Sequence, residues 1–270
     1  MQKELNLHKL KTSLNDNNNA IYFLEDICLN EFVGKKLSIK FLEEINCVAC
    51  GTKTNKSYSQ GYCFMCMRKL PECDICIVKP ELCHYAQGTC RDSKWGEDHC
   101  MKTHIVYLSN TGDVKVGITR LKNIPSRWID QGATQALPIY AVQNRLISGL
   151  MEMALKTHIA DKTNWRKMLQ GDSESIDLEA IRDDLITKSQ AEINNIKDKY
   201  GDNALEPVEG NLVNIVYPVL EFPTKIKSFN LHKDSIVQGK LEGIKGQYLI
   251  FDTGVINIRK FSGYKCLIEA

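Results

Sequence analysis

The segment CVACGTKTNKSYSQGYCFMC sets Cys47, Cys50, Cys63 and Cys66 as two C-x2-C pairs with twelve residues between them. Each pair brings two thiolates to one side of a backbone knuckle, and two knuckles supply the tetrahedral sulfur cage that Zn2+ favours. Gly51, directly after the second thiolate, lets the first knuckle relax. Sites of this kind are closed and structural, and contribute on the order of 10 kcal/mol or more to the folding of domains too small to hold themselves. The spacing therefore predicts a small zinc module set within a larger chain.

A second cysteine block follows, with Cys73, Cys76, Cys83, His84, Cys90, His99 and Cys100. Its spacing does not choose four ligands from these seven. Cys73, Cys76, Cys90 and Cys100 are the expected set for a second zinc, and an iron–sulfur cluster is the competitor, because soft thiolates suit either. Nine of the eleven cysteines fall between Cys47 and Cys100, a clustering that points to metal ligation in a reducing compartment before disulfides. Cys28 and Cys266, outside the block, read as ordinary buried thiols. The first twenty residues lack the apolar segment of a secretory signal, and no stretch approaches the ~18 apolar residues of a membrane span. A cytoplasmic protein with no membrane contact is expected.

At 270 residues the chain can hold several cores. Apolar alternation before Cys47 predicts N-terminal strands over 1–46, leading into the cysteine-rich module over 47–100. Residues 101–170 read as strand, strand, short helix near 125–131, strand, then an amphipathic helix from Arg145 to Asp161. A longer helical pattern, acidic in its first turns, with a turn-rich linker makes 171–210 a brace between modules. Alternating runs broken by glycines predict a small C-terminal sheet or barrel over 211–270, where Lys245, Tyr248, Arg259 and Lys260 suit binding or bracing. Charge is uneven along this order. Residues 101–170 carry ten Lys/Arg against four Asp/Glu, whereas 171–210 carry four against eleven. A local cationic surface favours phosphate-bearing partners.

The basic region opens on HIVYLSNTGDVKVGITR, from His104 to Arg120. If Val106, Leu108, Val114, Val116 and Ile118 share one buried face, the loop must hold three residues, Thr111 to Asp113. Tyr107 then opposes Gly117 and Ser109 opposes Lys115. The second face so presents a tyrosine, a lysine and the space left by a glycine.

This strand–loop–strand with IVY and KVG, followed by an arginine-bearing helix, a strand and a helix with one acid, resembles the GIY-YIG endonuclease superfamily over 104–168. Through GQYLIFDTGVINIRK, DKTNWRKML, RWIDQGA and CHYAQGTCRD the chain also resembles a bacterial family known as domain of unknown function 2797. The superfamily resemblance implies an α+β protein with a GIY-YIG-like core and hydrolysis of a phosphodiester with one divalent cation, Mg2+ or Mn2+. Tyr107 matches the tyrosine proposed as general base or relay, and Arg127 the arginine that steadies the developing phosphorane charge. Glu152 matches the metal-binding glutamate, beside Ser148 and Gly149, whose small side chains would leave it uncovered. Two positions depart from the motif, Ile105 for its glycine and Lys115 for its second tyrosine. A lysine still binds phosphate and still lowers the pKa of a nearby phenol. The expected function is a zinc-containing nucleic-acid-binding protein with a nuclease-like core. A binding protein without catalysis, and a nucleic-acid-modifying enzyme with a second metal or iron–sulfur site, are the alternatives.

Overall fold

The computed structural model describes residues 1–159, 164–171 and 173–270. Alternating apolar residues build five strands ahead of the cysteines: β1 (Gln2–Asn6), β2 (Lys11–Leu14), β3 (Ala20–Leu24), β4 (Ile27–Cys28) and β5 (Lys36–Ile45). Residues 47–100 are irregular apart from three short helices, α1 (Phe64–Lys69), α2 (Ile75–Val78) and α3 (Ser93–His99). The hairpin then forms from β6 (His104–Asn110) and β7 (Val114–Arg120), with Tyr107 opposite Gly117 and Ser109 opposite Lys115 across a three-residue loop. Next come α4 (Ser126–Asp130), β8 (Gln135–Val142) and α5 (Arg145–Lys156). The far end of the helix expected to reach Asp161 lies outside the described residues.

After α6 (Trp165–Leu169), the long helical pattern is two helices, α7 (Leu178–Lys188) and α8 (Gln190–Tyr200). They are broken at Ser189, which is fully buried and leaves helical geometry with φ of −100° and ψ of 13°. The break lets Leu178 and Leu185 of α7 and Ile193 and Ile196 of α8 enter one core. The remaining strands are β9 (Leu205–Pro207), β10 (Val213–Asn214), β11 (Ile236–Lys245), β12 (Tyr248–Phe251), β13 (Gly254–Asn257) and β14 (Tyr264–Glu269).

The result is a mixed α+β structure of antiparallel sheets. The two ends of the chain are hydrogen-bonded to each other in an open six-stranded order, β1-β14-β5-β11-β12-β13, so the tail strands share their sheet with the N-terminal ones. A second sheet centres on β6, flanked by β7 and β8, and β2, β3 and β4 make a third. Val106, Leu108 and Val116 pack under α5, α7 and α8 as the alternation requires. The other face of β6 is covered as well: Ile105 and Tyr107 join Trp128 and Ile129 of α4 and the core of the end-to-end sheet. Every residue of β6 is buried. Among the described residues no helix is long and apolar enough to cross a membrane.

Candidate functional site

The first four cysteines converge. Their Sγ atoms lie within 4.8 Å of one another, and those of Cys50 and Cys63 are 3.9 Å apart. A zinc tetrahedron with ~2.3 Å Zn–S bonds has edges of about 3.8 Å, so the cluster can hold a zinc ion with shifts of about 1 Å or less. Local backbone makes the donors ready. The Cys63 amide donates to Cys47 Sγ at 3.2 Å, and the Cys66 amide donates to Cys63 Sγ at 3.4 Å. Gly51 has φ of +72°, a turn conformation that a side chain disfavours. The Thr52 hydroxyl, 3.4 Å from Cys50 Sγ, and the Thr52 amide bring that thiol down to about 6. The Asn46 amide donates to Gly263 and ties the first knuckle to the end-to-end sheet, while the Val48 amide donates to Gly61 and ties it to the second knuckle.

Of the second expected set, Cys76, Cys90 and Cys100 line one small enclosed pocket together with Cys83. Cys73 instead faces a large cleft on the other side of the module.

That cleft, about 750 Å3, lies between the cysteine-rich module and the β7 edge of the hairpin sheet. Glu72, Cys73, Asp74 and Ile77 line one wall, and residues 115–120 of β7 line the other. Arg127 of α4, Arg145 and Glu152 of α5, Lys9 and Arg259 complete it. Six lysines and arginines thus meet four carboxylates. Three of those carboxylates are engaged: Asp130 by Lys9, one of the six cations, and by Gln247 at 2.8 Å, Asp74 by Arg91 at 2.6 Å, and Glu152 by Lys156 at 3.6 Å. The surplus in the cleft is cationic. Burial and the Arg127 charge lower the pKa of Arg259, and burial with Arg145 does the same to Arg120. Crowded guanidinium groups of this kind gain from an anion.

Lys115, Arg127 and Glu152 therefore share one cleft. Tyr107 sits beneath it rather than in it. Its side chain is fully buried, its hydroxyl donates to Gln131 Oε1 at 2.9 Å, and the Arg127 charge lies close enough to act on it. Burial pushes the phenol above its ordinary value, with Arg127 opposing, so the group is a neutral donor that anchors Gln131 beside Arg127. The space at Gly117 is not open either. A Cβ there would stand 2.5 Å from Tyr107 Cζ and 2.6 Å from Oη, so the ring occupies it. Gly117→Ala is expected to lose roughly 1–3 kcal/mol by overpacking. Urea melts check this, and Tyr107→Phe should not rescue the loss because the Cζ contact remains.

Glu152 is partly exposed and keeps Lys156 of its own helix at 3.6 Å. The small residues beside it serve packing and not an uncovered carboxylate: Ser148 is fully buried, and a Cβ on Gly149 would stand 2.3 Å from the Glu81 amide nitrogen. In the tail, Lys245 is buried with its ammonium on the Gly171 carbonyl at 2.9 Å, a brace, while Arg259 reaches the cleft. Sequence reasoning did not single out Lys9, Arg120, Arg145 or Gln131 for this site. They come from five different segments once Arg259 is included, and no local spacing joins them.

Fold and site together define a mixed α+β protein with a four-cysteine metal-binding cluster beside a cationic cleft. The family described as "Protein of unknown function (DUF2797)" matches residues 34–266, from β5 into the first half of β14, and the chain belongs to that family. No curated protein and no solved structure matches it.

Proposed function

We propose that the protein binds nucleic acid in the cleft and hydrolyses a phosphodiester there with one Mg2+ or Mn2+ held on Glu152. The observation that supports this is the meeting of Lys115, Arg127 and Glu152 in a cleft where cations outnumber carboxylates. In this reading Lys115 and Arg120 position the phosphate, and Arg127, beside the Gln131 that Tyr107 anchors, faces the charge that develops on it. A divalent cation would supply the activated water and neutralise the phosphate oxygens. Loading Glu152 would displace its pairing with Lys156, an i,i+4 ion pair of the kind worth only about 0.3–0.5 kcal/mol. The GIY-YIG-like character of β6, β7, α4, β8 and α5 belongs to this proposal and gives Tyr107 a positioning role in place of a base.

The burial of Tyr107 favours a second reading, a nucleic-acid-binding protein that does not cut. Labelled single-stranded, branched and duplex RNA and DNA, incubated with Mg2+ or Mn2+, separate the two. Cleavage that Glu152→Gln abolishes while binding persists supports the nuclease. Lys115→Ala should weaken binding and lower its salt slope by about one phosphate contact. Binding without cleavage across the panel leaves the second reading, and neither binding nor cleavage removes both.

A further inference from the structure

The second cysteine pocket carries an assignment that spacing alone could not make. Cys76 lies in the first turn of α2, where Asp74 caps its amide, and Cys83 closes the turn that begins at Pro80. Cys90 follows the left-handed Gly88, and Cys100 ends α3. All four border a void of about 10 Å3 with Tyr85 and Trp95 against it. That is the room of a single water or ion. Gly96 leaves this packing free: a Cβ there would stand 2.7 Å from the Tyr85 ring and 3.3 Å from Cys90 Sγ.

The independent observation is charge. Arg145 reaches the Cys100 thiol, and Arg120 lies close enough to feel the charge of both. Arg145 Nε and Arg120 Nη1 are buried without a hydrogen-bond partner, and neither side chain has an ion pair among the described residues. These half-buried guanidinium groups each keep one buried nitrogen without an acceptor, whereas Zn2+ on four thiolates carries a net charge of about −2 beside them. We propose that Cys76, Cys83, Cys90 and Cys100 hold a second Zn2+, whose thiolate shell is the counter-charge that settles Arg145 and Arg120 in the wall of the cleft. Binding displaces the remaining thiol protons to solvent and changes no oxidation state.

A competing donor set exists. Asp74, Cys76 and His84 present ligand atoms within 4.8 Å of one another, a spacing that no three of the four pocket thiols reach, so those thiols must close in around the ion. Asp74 is engaged by Arg91 at 2.6 Å, and this set offers one soft ligand against the four of the pocket.

The test uses the full-length chain. Native mass spectrometry and elemental analysis should give two zincs per colourless wild-type chain, one for Cys83→Ser, and two for both Cys73→Ser and His84→Ala. Alkylation mapped by peptide should modify Cys73 in the native wild type and reach Cys76, Cys83, Cys90 and Cys100 only after chelation. This map decides the matter if Cys83→Ser does not fold. One zinc in the wild type, two in Cys83→Ser, metal loss on changing Cys73 or His84, alkylation of the four before chelation, or a brown iron–sulfur chromophore would each overturn the proposal.

Discussion

Cys63→Ser is expected to lose the zinc of the first cluster and with it the fold of the knuckles between Cys47 and Cys66. The substitution separates the thiolate from the other work that Cys63 does. Its Sγ also caps α1, accepting the Cys66 amide at 3.4 Å, and serine is among the better N-caps. The helix start is therefore preserved while one corner of the tetrahedron is removed. Structural zinc sites contribute about 10–16 kcal/mol in isolated modules, more than a domain's usual margin of about 5–15 kcal/mol. Loss of one ligand is accordingly decisive where loss of an ordinary buried contact is not. The damage should spread beyond the module, because the Asn46 amide links the knuckle to Gly263, immediately before β14 of the six-stranded sheet. Cys28→Ser, on β4 and outside both clusters, is the control and should retain wild-type zinc and melting. Elemental analysis with thermal melts makes the comparison, and normal zinc content in Cys63→Ser would remove the cluster from the metal chemistry of this protein.

The hairpin and the first cluster were legible in the sequence for a physical reason: each is fixed by short-range spacing. Period-two alternation admits one register for the apolar set, and that register is the one observed. Two C-x2-C knuckles define a cage whatever surrounds them. The rest depends on distant partners. Burial of the Tyr107 face requires α4 and the end-to-end sheet, and that sheet exists only because Gln2–Asn6 pairs with the strand that starts at Tyr264. Periodicity in a local window cannot distinguish a face covered by remote chain from one left to solvent. For the same reason Cys83 and Cys73 were indistinguishable as ligands, since the turn from α2 to Cys83 decides which of them faces Cys100. Gly149 shows the limit most plainly. A glycine inside a helix reads as a small residue leaving space, and the backbone that fills the space comes from nearly seventy residues earlier.

Gly149→Ala should therefore be among the most destabilising single changes outside the cysteines, although alanine is the better helix former. The intrinsic gain is about 1 kcal/mol in a helix interior. Against it, the new Cβ would stand 2.3 Å from the Glu81 nitrogen, 2.6 Å from the Pro80 carbonyl carbon and 2.8 Å from Pro80 Cβ. Two of those atoms are backbone, which cannot swing aside as a flexible side chain does. Overpacking of side chains alone costs about 1–3 kcal/mol, so a clash with fixed backbone should exceed the helical gain and leave a net loss of roughly 2–4 kcal/mol. At about 2–4 °C per kcal/mol for a chain of this size, the melting temperature should fall by roughly 4–16 °C. The alternative to strain is separation of α5 from the turn at Pro80, and that has a functional consequence. This contact joins the cysteine-rich wall of the cleft to the helix that carries Arg145 and Glu152. Limited proteolysis should then cut between Val78 and Cys83 in the variant at concentrations that spare the wild type, and affinity for nucleic acid should drop with it if the cleft is the binding site. A Gly149→Ala protein that melts at or above the wild-type temperature, with the same proteolytic pattern, would show that the module does not rest on α5 in this way.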